Sequence, residues 1–444
     1  MIKSFLRIST MFSDKYERNI RTLSEIYQDG EKLKNEISSL TQCIFDQSTI
    51  CGKRILIKPN WVKQDSYPWD HICLRTHDNF ILAIIELLLP LKPSYLLIGD
   101  APIQGCDWGK MILPEFEGKI NGLSKKYGVP VELKDFRRTT FDPLKNNPVH
   151  KIKPITDYVI FNLGNMSYLE PISVDSKSFF RITNYDPRRL AESHRPGIHK
   201  YCLTEELFNA DIIITLPKVK THEKTGLTAA LKNIVGLNGD KDFLPHHRLG
   251  GTGFGGDCYP GKNYLRYFSE LALDRANMVQ GKRSFNYWTK LSSLLWKISF
   301  PGSEHQMAAG WYGNDTVWRM VLDLNNIAIF GKNDGTLASD PQRILISLCD
   351  GIIGGQGDGP LKPEPLPLGI ISFTNNSLVN DIAMALLMGF DFKKFPLLVG
   401  AEKLISLNEC EVFLNGLQTN IYDLNRISIH TQPPKGWERY LQKQ

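Results

Sequence analysis

The run Ile212-Ile213-Ile214-Thr215-Leu216-Pro217-Lys218-Val219-Lys220-Thr221-His222, continued by Thr225-Gly226-Leu227-Thr228-Ala229-Ala230-Leu231-Lys232-Asn233-Ile234-Val235-Gly236, decides the fold class. Its opening is apolar and β-branched without a break, the pattern of a strand buried on both faces of a parallel sheet. Pro217 ends that strand. The Ala- and Leu-rich sequence that follows predicts a helix begun at Thr225 or Thr228 and ended by Gly236. Lys218, Lys220, Thr221, His222 and Lys224 then form a loop at the carboxyl end of a strand, facing a helix N-terminus. Free N–H groups and the helix dipole favour an anion in that position, so a phosphate or carboxylate is the expected guest. Lys232 and Asn233 extend the set from the helix.

The pattern recurs upstream. Arg54-Ile55-Leu56-Ile57-Lys58-Pro59-Asn60 is a second buried strand ending in a cation, a proline and an amide. A helix capped by Thr76 or Asp78 runs from there to Pro90, and Ser94-Tyr95-Leu96-Leu97-Ile98-Gly99-Asp100 is a third strand. Strand, helix and strand at this spacing make a right-handed βαβ unit, which places Lys58, Asn60 and Asp100 at the carboxyl ends of neighbouring strands. Residues 12–42 have helical periodicity and predict one or two helices flanking the sheet. Further expectations are a helix over 118–127, strands at 129–133 and 157–163, a short hairpin strand at Phe179–Ile182, and a helix over 263–280.

Downstream, Asp240 to Arg248 holds the neighbours His246 and His247, followed by the glycine-rich Gly250 to Asp257. Adjacent histidines on extended chain point opposite ways, so they do not share a metal readily; a substrate or acid–base part for one of them is expected. A strand at Arg343–Cys349 leads into Asp350 and a glycine-laden loop through Asp358 to Pro360, where Asp350 and Asp358 offer oxygen ligands for Mg²⁺. His305–Arg319 reads as a ligand-facing turn or a capped helix, with Asp315 or Thr316 capping a helix through Phe330. Another strand (369–375), a helix with Asn380 or Asp381 near its cap (379–389) and small strands at 411–414 and 418–422 complete the chain.

Composition bounds the rest. With 444 residues, 42% hydrophobic and 23% charged, the chain is ordinary globular protein. The 53 basic against 47 acidic residues leave only +6, dispersed along the chain, so no nucleic-acid partner is expected. The eight cysteines show no CxxC, so neither an iron–sulfur cluster nor a zinc ribbon is expected. No apolar span long enough for a transmembrane helix or a signal peptide is present, and a cytoplasmic protein is expected. The basic, aromatic pattern at 282–299 would suit a membrane surface, although docking on its own protein is the preferred reading. The absence of a GxxxxGK[ST] loop argues against an ordinary nucleotide triphosphatase.

Taken in order, Ile57-Lys58-Pro59-Asn60, Gly99-Asp100-Ala101-Pro102, Leu216 to His222, Ala230 to Gly236 and Asp350 to Pro360 resemble the family called domain of unknown function 362, over roughly residues 50–400. Gln356 stands where that family most often has Glu. Some of its members carry ferredoxin-like segments, for which this chain shows no cysteine pattern. The resemblance implies a shared α/β fold and pocket and supplies no reaction.

The expected architecture is α/β: a mainly parallel sheet flanked by helices, with loop-rich insertions and a small C-terminal β element. The expected division is N-terminal helices (1–45), an α/β region (46–400, with room for lobes at about 46–165 and 200–400) and small strands (401–444). The expected function is enzymatic, on a small anionic metabolite, by metal-assisted or acid–base chemistry; the alternative is a non-catalytic protein that binds an anionic ligand or handles a metal centre. His222, Lys220 and Lys58 are the expected catalytic groups. Asn60, Lys218, Thr221, Lys232, Asn233, His246 and Arg248 are the expected substrate contacts, and Asp100, Asp350 and Asp358 the ligands of Mg²⁺ or another divalent cation.

Overall fold

Ile212–Leu216 alternates its side chains between two apolar layers, Ile213 on one side and Ile212, Ile214 and Leu216 on the other. Arg54–Pro59 and Tyr95–Asp100 do the same, with Leu56 and Leu97 in the first layer and Ile55, Ile57, Leu96 and Ile98 in the second. A strand sandwiched in this way must be apolar throughout, which is why the three runs read as unbroken. The computed structural model of the protein describes residues 3–12, 18–142, 147–173, 180–299, 308–406 and 410–441.

The main sheet is ordered Leu417–Gln418, Glu411–Leu414, Phe5–Thr10, Ile370–Thr374, Ile344–Gln356, Ile212–Leu216, Arg54–Pro59, Tyr95–Asp100 and Val131–Asp135. From Ile344–Gln356 to Val131–Asp135 every neighbour is parallel. Ile370–Thr374 is antiparallel to both of its neighbours. The fold is therefore α/β with a largely parallel sheet, and the C-terminal strands are part of that sheet.

Strand order from Arg54–Pro59 runs forward in sequence on both sides, to Tyr95 on one and to Ile212 on the other. The adjacent strands Arg54–Pro59 and Ile212–Leu216 thus mark a topological switch point, outside whose carboxyl ends α/β proteins open a crevice.

Helices cover both faces. Ile20–Gln28, Gly30–Thr41 and Asp78–Leu88 bury Leu23, Ile37 and Ile84 in one layer, whereas Val317–Phe330 and Ser377–Leu387 fill the other. Residues 13–17 of the expected 12–42 helical stretch, Phe179 of the expected hairpin strand and 305–307 of the expected turn lie outside the described residues. The N-terminal region also contributes Phe5–Thr10 to the sheet, a strand the sequence reading missed because its core positions Phe5, Leu6 and Ile8 alternate with polar residues only in part. Asp78–Leu88 is capped by His77, whose Nδ1 accepts from Asn79 N at 3.1 Å. Val317–Phe330 is capped by Asn314, whose Oδ1 accepts from Val317 N at 3.0 Å.

The segment after Pro217 differs from the expected loop and helix. Lys218–His222 is a buried strand that keeps alongside the long strand Ile344–Gln356 and turns into a second short strand, Gly226–Thr228. The helix is a single turn, Ala230–Asn233, continued as 3₁₀ to Leu237. Strand pairing wins because it gives the backbone of Lys220–His222 and Gly226–Thr228 mutual partners in a buried place.

Helix Ser284–Ser299 packs on Tyr264–Met278 through Ser269 Oγ, which donates to Ser292 O at 2.7 Å. Tyr287, Leu294 and Ile298 remain exposed on it. Among the described residues no helix is long and apolar enough to cross a membrane.

Candidate functional site

At the switch point a cleft of about 360 Å³ opens, within the range that holds a small metabolite. Lys58 and Asn60 enter it from the first strand, Asp100 from the next, and Lys220 and His222 from Lys218–His222. Lys232, Asn233 and His246 close it from the opposite side. These residues, scattered over the chain, were all expected at the site, and the structure brings them to one cavity. Lys224 and Lys241 also line it.

The floor is a hydrogen-bonded plate. Lys58 Nζ lies 2.8 Å from Asp100 Oδ1 and donates to Asn233 Oδ1 at 3.0 Å. Asp100 Oδ2 accepts from Trp61 N at 2.6 Å, and Asn233 Nδ2 donates back to Lys58 O at 3.1 Å. Burial pushes the Lys58 ammonium down and the Asp100 carboxyl up, and each is opposed by the other's charge. Gly236 is obligatory here: a Cβ on it would lie 1.8 Å from Asp100 Oδ1 and 2.7 Å from Lys58 Nζ.

Above the plate the balance is positive. Lys220 Nζ donates to the carbonyls of Leu74 and Pro360, Lys224 Nζ to that of Ala308, and Lys241 Nζ to that of Ala101 at 2.9 Å. Lys232 Nζ has no hydrogen-bond partner among the described residues. None of these four forms an ion pair among the described residues. Burial, with mutual repulsion, pushes Lys220 and Lys232 down to about 7 and Lys241 to about 8. Asp100 and Glu223 are the carboxylates that line the cleft, so an anion would supply charge that the site lacks.

The two histidines differ in proton placement. His222 Nδ1 accepts from Lys224 N at 3.0 Å, so the neutral ring carries its proton on Nε2. His246 Nδ1 lies 2.7 Å from Leu244 O, which can only accept, so that ring carries its proton on Nδ1 and offers a lone pair at Nε2. Burial, then the surrounding lysines, hold both rings well below the ordinary imidazole range. His222 thus presents an N–H donor, which suits the acid half of its expected acid–base part, and His246 presents an acceptor.

Other expected site residues lie elsewhere. Lys218 faces Asp350 in register, at 2.9 Å, in a sealed cluster with Tyr27, whose hydroxyl donates to Asp350 while His77 N donates at 3.1 Å. The register shifts between Lys218 and Lys220, so the two ammonium groups part despite their spacing. Thr221 points away from Lys220, as alternation requires, and its hydroxyl donates to Gly357 O at 2.8 Å. Arg248 pairs with Asp257 at 3.6 Å and binds Gly255 O. Asp358 is exposed and pairs with Lys435 at 2.8 Å. The expected metal set Asp100, Asp350 and Asp358 is therefore not a set: the first holds Lys58, the second Lys218 and the third Lys435. Gln356 binds Gln432 N at 3.0 Å, also outside the cleft.

Asp381 serves the site from below. Its oxygens accept from Ala230 N at 2.8 Å and Leu231 N at 3.0 Å, capping the single helical turn that carries Lys232 and Asn233. An apolar wall, made by Trp61, Ile182, Tyr185, Leu244 and Leu361, faces the lysines. Tyr185 and Lys241 come from polar stretches with no periodic pattern, which is why sequence reading missed them.

No curated protein matches the chain. A crystal structure of a protein from Thermotoga maritima is similar to it at 12% identity and a TM-score of 0.31, covering 78% of this chain and 55% of that one. This chain thus spans little more than half the length of that structure. A family profile matches residues 172–386, a span that holds the Lys218–His222, Ala230–Gly236 and Asp350–Pro360 motifs and leaves out Lys58 and Asp100. Residues 172–386 of the chain thus match the family described as Domain of unknown function (DUF362).

Proposed function

We propose that the cleft binds a small metabolite bearing a phosphate or carboxylate and acts on it by acid–base chemistry. One observation carries this reading: Lys220, Lys224, Lys232 and Lys241 meet in a single buried cleft without ion-pair partners among the described residues. Gathering unpaired ammonium groups costs several kcal/mol of desolvation and repulsion, and an anion removes that cost. The apolar wall opposite, and the buried Asn60 Oδ1, which has no partner, add to the description of the guest. It carries an apolar part and an O–H or N–H beside its anionic group.

The same charges provide a way to couple binding to chemistry. His246 is kept neutral by burial first and by the repulsion of Lys224 and Lys232 second. An anion seated between those lysines cancels the repulsive part, so Nε2 becomes a stronger base when substrate is present. His222 Nε2–H then hydrogen-bonds the charge that develops on the substrate, a preorganised donor of the oxyanion-hole kind. No step is drawn through Asp350 or Asp358, because neither reaches the cleft.

Replacing His246 by Ala tests the catalytic half. Turnover of a phosphorylated or carboxylated substrate, found by screening, should fall about 10²- to 10⁴-fold, the usual contribution of a positioned general base, while its dissociation constant changes little. A non-catalytic carrier of anionic ligands would show no turnover in either protein, with the same affinities.

A further inference from the structure

Outside the cleft, three buried side chains from separate segments converge. His247 lies in the short strand His247–Arg248, Cys258 follows the glycine-rich segment, and Glu270 lies in helix Tyr264–Met278. One ligand atom from each falls within 4.8 Å of the others, the one such group among the described residues. His247 is 3%, Cys258 0% and Glu270 4% exposed.

Cys258 hydrogen-bonds Glu270, yet the cluster keeps buried ligand atoms that no group among the described residues meets. Glu270 Oε2 accepts from Gly250 N at 2.9 Å, but Oε1 is buried with no hydrogen-bond partner, as is His247 Nδ1. His247 Nε2 lies 3.5 Å from that same Oε1, too long for a good hydrogen bond. Nitrogen and oxygen ligands of one tetrahedral Zn²⁺, with bonds of about 2.0–2.2 Å, sit roughly 3.3–3.5 Å apart, so this separation suits a shared ion. Arg181, whose charge also reaches Glu270, is paired with Asp274 at 3.0 Å through both carboxylate oxygens. Tyr259 and Trp296 seal the cluster with an apolar shell.

We propose that His247, Cys258 and Glu270 bind a single Zn²⁺ ion. Binding releases to solvent the Cys258 thiol proton and the proton that burial keeps on Glu270, and thiolate and carboxylate together cancel the charge of the ion. Imidazole nitrogen supplies the third bond and a water the fourth; no electron is transferred. A thiolate selects Zn²⁺ over Mg²⁺ or Ca²⁺, which prefer oxygen alone. The ion would staple the glycine-rich segment and the helix to the strand that begins next to His246, making it a positioning element for the cleft rather than a catalytic one. The spacing of 11 and 12 residues matches no familiar zinc pattern, which is why the sequence gives no sign of it.

The test uses the untagged full chain, stripped with a chelator and dialysed against Zn²⁺ or Co²⁺. Elemental analysis should find one Zn²⁺ per chain, and the Co²⁺ form should show thiolate-to-metal charge-transfer absorption. Cys258→Ser should abolish that absorption, and Glu270→Gln should weaken Zn²⁺ affinity about 10-fold or more. A wild-type chain that is folded by circular dichroism and retains no Zn²⁺, or that binds Co²⁺ without the thiolate band, overturns the proposal. The wild-type spectrum decides even if a variant does not fold.

Discussion

Replacing Lys232 by Met should make the ligand-free protein more stable and, at the same time, weaken its binding of sulfate by about 10- to 100-fold. The two effects have one cause. Lys232 is half-buried beside Lys58, Lys224 and Lys241, and its Nζ forms no hydrogen bond among the described residues, so removing the charge deletes a repulsion and strands no partner. A charge-assisted hydrogen bond to a bound anion is worth roughly 1.5–3 kcal/mol, which sets the size of the binding loss. The pH dependence has a definite sign. Lys232 is held at about 7 in the folded protein, against the ordinary lysine value when unfolded, so between those limits the unfolded chain binds more protons. Stability of the wild type therefore rises with pH across that window, and the gain from Lys232→Met is full below about pH 7 and fades toward the unfolded value. Thermal melts at several pH values and a sulfate titration check both halves; a variant that is destabilised and still binds sulfate normally would make Lys232 structural.

Lys218→Met should do the reverse, with a large loss of stability and no change in anion affinity of the folded protein. Lys218, Asp350 and Tyr27 form a fully buried triad, and removing the ammonium leaves the Asp350 carboxylate without its counter-charge. Breaking a buried pair from one side typically costs about 3–5 kcal/mol. Urea unfolding measures it, and the double variant with Asp350→Leu should cost less than the sum of the single losses, because the second change removes the stranded charge. Loss of sulfate binding in folded Lys218→Met protein would return Lys218 to the site.

The contrast between these two lysines shows how far the residues could be read from sequence. Strands buried on both faces announce themselves, because Ile212–Leu216 and Arg54–Pro59 have nowhere to put a polar side chain but their ends. The polar residues at those ends, Lys58, Asn60 and Asp100, accordingly fall in the cleft. Lys218 and Lys220 look equivalent in sequence, and only the register shift against Ile344–Gln356 separates them. Asp350 looked like a metal ligand for the same reason: its partner Tyr27 lies more than three hundred residues away, beyond any local pattern. The expected helix from Thr225 failed because Gly226, at φ +77°, turns the chain into a hairpin packed on Phe395. His222 lines the cleft, and what no sequence pattern could give is its tautomer, which the Lys224 amide fixes.

The central claim is that the cleft is an anion seat whose ammonium groups are kept partly neutral by burial. Sulfate keeps the same charge throughout the working pH range, so any proton that moves when it binds belongs to the protein. Calorimetric titration of the full chain in buffers of different ionisation enthalpy should show tight binding with little proton uptake near pH 6. At pH 8 binding should be weaker, with uptake of about one proton or more, because Lys220 and Lys232 near 7 and Lys241 near 8 are recharged by the anion. Binding that is absent, or that proceeds at pH 8 with no proton taken up, would contradict the account.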